Sequence, residues 1–196
     1  MKIIGITGGI GSGKTAVLNI LHDEYGAFIM EADALAHRLM EPGQQSYNDI
    51  VAHFGDEILG DNKNIDRAKL SAIVFGDQDK LKLLNSITHP NVKKAILQSM
   101  EDQRTNGCKL YVLEAALLIQ DGYLDICNEM WFVYADISRR IERLCTYRGF
   151  TEEKARKVIN SQEPDSYYET NCVKKIDNSG DLKKLRDQLR SAMEIE

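Results

Sequence analysis

Gly8-Gly9-Ile10-Gly11-Ser12-Gly13-Lys14-Thr15 carries the spacing G-x-x-x-x-G-K-[ST] of a phosphate-binding loop. Glycines let consecutive backbone N–H groups turn toward one anion. The N-terminus of a following helix adds partial positive charge, the lysine reaches the outer phosphates, and the hydroxyl of Thr15 faces Mg²⁺. The candidate nucleotide-binding residues are therefore Gly8, Gly9, Gly11, Ser12, Gly13, Lys14, Thr15 and the adjoining Ala16, with Thr15 also the metal residue. The motif has meaning only between a strand and a helix. Ile3 to Thr7 is an apolar run before it, and Lys14 to Tyr25 after it places Val17, Leu18, Ile20, Leu21 and Tyr25 on one helical stripe, closed by Gly26.

Other strand-like runs are Ala27 to Met30, Lys109 to Glu114 and Met130 to Ala135, with a shorter, more polar one around Val173 to Ile176. Their continuous apolarity points to strands covered on both faces, hence an α/β parallel sheet of about five strands flanked by helices. Between the second and third strands lie helix-like stretches at Ala34 to Met40, Gln45 to Phe54, Arg67 to Phe75, Asp79 to Thr88 and Val92 to Arg104, broken at Pro42-Gly43, Gly55, Gly60 to Asn64 and His89-Pro90. A crossover needs only about a dozen residues. The surplus reads as an inserted helical lobe, residues 34–104, in a core of residues 1–33, 105–136 and 162–196. Ile137 to Tyr147 and Thr151 to Ser161 form a basic helical hairpin joined at Arg148-Gly149-Phe150, with the look of a lid over residues 137–161 that closes on triphosphate.

Composition excludes several classes. Net charge is −5 and no long basic run occurs, which argues against a nucleic-acid partner. The four cysteines, Cys108, Cys127, Cys145 and Cys172, form no C-x-x-C pair and read as reduced thiols. No stretch has membrane-span length, and the first apolar run flows into the loop without a cleavage-type site, so a cytoplasmic protein, a monomer or weak homo-oligomer, is expected.

Among phosphate-loop proteins, a GTPase would need N-K-x-D. Asn62-Lys63-Asn64-Ile65-Asp66 has its acid one residue late and precedes the third strand, so it reads as a turn. A motor would show a strand ending in Asp-Glu, whereas Glu114 is followed by Ala115-Ala116. A kinase needs an acid near an acceptor hydroxyl, and Asp33 stands just past the second strand, at the edge where open α/β sheets gather ligands. Asp33 equally suits the N-cap of the next helix, in which case Glu31 is the substitute base.

At these residues the chain resembles the dephospho-coenzyme A kinase family, from Ile3 to about Leu182. The likeness rests on Thr7 to Thr15, on Ala32-Asp33 with Ala36-His37 and Pro42-Gly43, on Asp66-Arg67, Leu70 and Val74-Phe75, on Leu84-Asn85-Ser86-Ile87-Thr88-His89-Pro90, and on Gln162 and Ile176 to Gly180. The resemblance implies transfer of the ATP γ-phosphate, with Mg²⁺, to the ribose 3'-hydroxyl of dephospho-coenzyme A. It makes Asp33 the general base with Lys14 as the other catalytic residue, Asp33, His37, His89 and Leu117 the acceptor-binding set, and Arg140 and Arg148 additional ATP contacts. His89, just before a proline, is read as a helix-junction residue rather than a catalytic one. The chain departs from the family pattern at Glu31, His37, Ala115-Ala116, Gln120, Tyr147-Arg148 and Tyr167-Tyr168. The competing readings are another small-molecule kinase, acting on a nucleoside, nucleotide or sugar acid, and a module that holds ATP without transferring phosphate.

Overall fold

The computed structural model describes residues 1–194. In chain order these form β1 (Lys2–Thr7), α1 (Lys14–Tyr25), β2 (Phe28–Glu31), α2 (Ala32–Leu39), α3 (Gln45–Phe54), a 3-10 turn at Asp56–Ile58, α4 (Arg67–Val74) and α5 (Gln78–Thr105). There follow β3 (Leu110–Glu114), β4 (Glu129–Tyr134), α6 (Ile137–Arg148), α7 (Glu152–Asn160), α8 (Asp165–Asn171), β5 (Lys174–Asp177) and α9 (Leu182–Glu194). The five strands make one sheet in the order β2-β3-β1-β4-β5. β1 runs parallel to both β3 and β4, and β4 runs parallel to β5, so the α/β parallel sheet expected from the apolar runs is present. With β1 in the middle, the loop that leaves it emerges between two neighbours.

The chain divides into two compact units, residues 1–30 with 103–196, and residues 31–102. In the first, Ile4, Ile6, Leu110, Val112, Trp131, Val133 and Ile176 project from one face of the sheet and are covered by Val17, Leu18, Ile20 and Leu21 of α1 and Leu185, Leu189 and Ala192 of α9. Alternate residues turn to the other face. There Phe28 stacks on Tyr111 at 5.2 Å between ring centroids and Phe132 on Tyr168 of α8 at 4.9 Å. Tyr168 belongs to the Tyr167-Tyr168 pair that departs from the family pattern, and its ring is buried in this stack rather than offered to a ligand. The α1 helix begins at Lys14, directly after Gly13 in the left-handed conformation (φ 84°), and stops at Gly26 (φ 64°), both as the residue types dictate.

The second unit has its own small core, Ile50, Phe54, Ile58 and Leu70, against which Ile73, Leu83, Leu84 and Ile87 pack. Residues 60–64 form the expected turn: the Gly60 N–H bonds to the Asn64 carbonyl at 2.9 Å, and Lys63 adopts φ 61°. One expectation fails here. His89-Pro90 does not separate two helices, because α5 runs unbroken from Gln78 to Thr105 with Pro90 inside it. An interior proline forfeits one backbone hydrogen bond and costs on the order of 3 kcal/mol. That cost is outweighed by apolar side chains on both sides, Leu83, Leu84 and Ile87 before it and Val92, Ile96 and Met100 after it. Asn91 further anchors the helix by donating to Asp49 Oδ2 of α3 at 3.0 Å. His89 is thus an exposed mid-helix residue and not a junction.

At the start of the strands, Glu129 ties three of them together, receiving Lys2 of β1 at 2.9 Å, Lys174 of β5 at 3.1 Å and the Trp131 indole N–H at 2.6 Å. Burial by itself would push its carboxyl up, but the hydrogen bonds from Trp131, Lys2 and Lys174 outweigh it and hold the group at about 2, against an ordinary 4.5. A carboxyl held low in the folded state stabilises above its unfolded value and loses that contribution as pH falls toward its folded value. Glu129→Gln is therefore expected to lower stability near neutrality by up to about 3 kcal/mol. Below about pH 2 that difference vanishes. Urea unfolding of both proteins between these limits checks it; curves with the same pH dependence would contradict the assignment.

Candidate active site

The loop between β1 and α1 is held from behind. Arg140 of α6, 6% exposed, donates from Nε to the Ile10 carbonyl at 2.9 Å and from a terminal nitrogen to Gln162 Oε1 at 2.8 Å. The same Gln162 oxygen accepts the Ile10 N–H at 2.8 Å. One helical turn on, Arg143 donates to the carbonyls of Ser12 at 2.9 Å, Gly11 at 3.3 Å and Asn178 at 2.7 Å. The buried Asn178 side chain donates to the Ser12 carbonyl at 2.9 Å and the Gly13 carbonyl at 3.3 Å. Every carbonyl from Ile10 to Gly13 thus has a donor outside the loop. With the carbonyls drawn backward, the N–H groups of Gly11 and Gly13 remain to face an anion, while Ile10 donates to Gln162 and Ser12 to the Gly9 carbonyl at 3.1 Å.

The glycines answer to this scaffold as well as to phosphate. A Cβ on Gly9 would run into the Arg140 guanidinium, one on Gly11 would lie 2.8 Å from the Arg140 carbonyl, and one on Gly13 would meet the Asn178 side chain. Gly11 and Gly13 also sit at φ 79° and 84°, where a side chain is strained. Burial lowers the proton affinity of Arg140, and Asp165 at 3.9 Å opposes the effect. A guanidinium remains charged in either case.

Lys14 lies in the first turn of α1 with Nζ 2.9 Å from the Gly8 carbonyl and 3.4 Å from a Glu114 oxygen. Its ammonium therefore spans the loop's first residue and the end of β3. The Thr15 side chain beside it is exposed. Among the described residues no group of three or more His, Cys, Asp or Glu could hold a metal unaided. The Thr15 hydroxyl is a single hard oxygen donor, which fits Mg²⁺, an ion that keeps several waters and takes one or two protein oxygens plus phosphate. Two hydroxyls near the loop, Thr7 Oγ1 and Ser12 Oγ, are buried without a hydrogen-bond partner. Ser12 is itself a candidate phosphate-binding residue, and Thr7 directly precedes the loop.

Arg148, by contrast, is exposed at the last turn of α6, beyond which Gly149 turns left-handed at φ 63° and Thr151 caps α7 by accepting the Lys154 N–H at 3.2 Å. The hairpin signals read from the sequence are all in place. Ile141, Leu144, Ala155 and Ile159 close its two helices on each other, with Ile10 of the loop packed against them. Leu117 is half exposed in the turns after β3.

In the second unit Asp33 is exposed in the first turn of α2, two residues past the end of β2. It is not the cap. α2 starts two residues earlier than the sequence pattern indicates, because Ala32 buries in the helix, and Glu31 occupies the N-cap position without a side-chain capping bond. His37, in the last turn of the same helix, is exposed, as is His89 on α5.

Arg143 and Asn178 are the residues that sequence reasoning passed over. In the sequence Arg143 is one of several basic residues of the hairpin, with nothing local to single it out, and Asn178 lies within the closing Ile176 to Gly180 run.

The family model for dephospho-CoA kinase matches residues 2–184. A dephospho-CoA kinase of Carboxydothermus hydrogenoformans is 37% identical over 99% of this chain and 94% of its own length. One from Geobacillus kaustophilus is 39% identical over 95% of this chain and 92% of its own. Among solved structures, TT1252 from Thermus thermophilus superposes with a TM-score of 0.82 at 28% identity, covering 98% of this chain and 96% of that one. On a phosphate loop carried by a five-stranded parallel sheet and matched along nearly its whole length, the chain belongs to the dephospho-CoA kinase family.

Proposed function

We propose that the protein transfers the γ-phosphoryl group of ATP to the ribose 3'-hydroxyl of dephospho-coenzyme A, giving coenzyme A and ADP, the last step of coenzyme A synthesis. The observation that carries this reading is the family match over residues 2–184 together with a loop whose carbonyls from Ile10 to Gly13 are all tied back. That backbone presents N–H groups and the α1 N-terminus to the phosphates. Lys14 swings from the Gly8 carbonyl and Glu114 to the outer phosphates, so the positive charge it gives the transferring group is already at hand.

Mg²⁺, when bound with ATP, neutralises charge on the phosphate oxygens. Thr15 would hold it through its hydroxyl, and Glu114, 3.4 Å from the Lys14 ammonium, would order its water shell. Asp33 accepts the proton of the attacking hydroxyl, and the residue 31–102 unit, with His37 and His89, receives the acceptor, helped by Leu117. The hairpin of α6 and α7 covers the triphosphate, with the exposed Arg148 among its cations. We place the enzyme in the cytoplasm as a monomer or weak homo-oligomer, with no nucleic-acid or membrane partner; no helix among the described residues is long and apolar enough to cross a membrane.

The deciding experiment supplies ATP, Mg²⁺ and dephospho-coenzyme A and measures coenzyme A directly, beside nucleosides, nucleotides and sugar acids as rival acceptors. Coenzyme A as the preferred product is expected. Faster transfer to another acceptor would overturn the acceptor assignment, and ATP binding without any product would favour a regulatory module.

A further inference from the structure

Ile10 is gripped at both ends of its own backbone. Its N–H goes to Gln162 Oε1 at 2.8 Å, its carbonyl receives Arg140 Nε at 2.9 Å, and Arg140 closes the triangle by donating to the same Gln162 oxygen at 2.8 Å. The Gln162 amide can have only one orientation here, since both groups facing Oε1 are N–H donors. The grip reaches 130 residues along the chain to α6 and 152 to the segment after α7. No local sequence preference would hold a glycine-rich loop in one shape; glycines are the residues with most backbone freedom to lose.

The Arg140 side chain is also enclosed. Its head group lies where a Cβ on Gly9 would be, it is 6% exposed, and its nearest acid, Asp165, is 3.9 Å away. A cation so buried, with two donors committed to Ile10 and Gln162, is poorly placed to reach out to a phosphate. It is well placed to fix what the phosphate meets.

We propose that Arg140 and Gln162 are positioning residues that hold the phosphate loop in its nucleotide-receiving shape before ATP arrives. This rests on the kinase reading above and deepens it. A loop released from the clamp samples other shapes, and the apparent affinity falls in proportion to the competent fraction that remains. Once ATP is bound, the phosphates themselves restore the shape. The signature is a raised KM for ATP with kcat preserved. A residue stabilising the transferring phosphoryl group would instead lower kcat, and one that only supported the fold would change neither at temperatures well below unfolding.

The test compares the parent with Arg140→Gln, Arg140→Lys, Gln162→Leu and Gln162→Glu. Arg140→Gln and Gln162→Leu are expected to raise the KM for ATP about tenfold, as for a competent fraction cut to about a tenth, with kcat within about threefold. In the absence of ligand, hydrogen exchange of the Ile10 amide should quicken by at least a similar factor in Gln162→Leu. Gln162→Glu keeps the accepting oxygen and should restore the parent's KM. Arg140→Lys, which has no fork to span both acceptors, should fall between.

A fall in kcat with unchanged KM would overturn the proposal and make Arg140 a phosphoryl contact, and folded variants with unaltered KM and Ile10 exchange would overturn it in favour of a purely architectural role. If Arg140→Gln does not fold, Gln162→Leu, on a half-buried side chain, decides alone. Calorimetric ATP affinity and Ile10 exchange need no acceptor. They therefore judge the clamp even if the parent proves inactive on dephospho-coenzyme A, an outcome that would strike the kinase reading instead.

Discussion

Lys14→Met is expected to reduce phosphoryl transfer by about 10² to 10⁴, equivalent to roughly 3 to 5 kcal/mol of barrier. On the proposed reading the ammonium supplies charge where charge develops, and nothing else among the described loop residues, Gly8 to Thr15, carries a cation. Methionine keeps most of the stem and removes only the charge. Since Nζ sits 2.9 Å from the Gly8 carbonyl and 3.4 Å from Glu114, the substitution also takes one partner from each. A small fall in melting temperature is expected beside the large fall in rate. Circular dichroism and initial rates at saturating ATP separate the two; a folded variant with near-normal turnover would contradict the role of the loop.

Much of this was legible because the signals are local. A phosphate loop, its glycine-initiated helix and the Gly26 stop are each decided by a few adjacent residues with restricted backbone choices. The same holds for the hairpin, where Gly149 and Thr151 mark the end of one helix and the start of the next. The central strands were readable from their unbroken apolarity, a consequence of burial on both faces, whereas β5, Lys174–Asp177, is polar and buries only Ile176, so its signal was weak.

What escaped was decided at a distance. Pro90 is a strong local breaker, yet α5 continues through it because packing on both sides outweighs one lost hydrogen bond. By residue type Asp33 suited the N-cap as well as a base, but α2 starts at Ala32, a buried residue, and puts Glu31 at the cap position. The contacts that shape the loop span 130 to 166 residues, from Arg140, Arg143, Gln162 and Asn178. No periodicity or spacing near Gly8 to Thr15 announces them. A partial signal existed in Arg140 and Arg143, three apart and so on one face of α6, the spacing at which two side chains can serve one target.

The other large effect is expected from Asp33→Asn. General-base loss typically lowers a rate by about 10² to 10⁴. The structure sharpens this experiment. Had Asp33 been the helix cap, asparagine would have preserved the cap and alanine would not, and any loss of activity could be traced to a frayed α2. Glu31 holds that position instead, and Asp33 is an exposed residue of the first turn with no capping bond to lose. Stability should therefore change little, apart from the modest attraction between a carboxylate and a helix N-terminus. ATP affinity, measured by calorimetry, should be that of the parent, because the loop residues are untouched. Only transfer to dephospho-coenzyme A should collapse. If Asp33→Asn turns over within about threefold of the parent, where general-base loss should cost far more, the base is not Asp33. Glu31, exposed at the end of β2, is then the residue to replace.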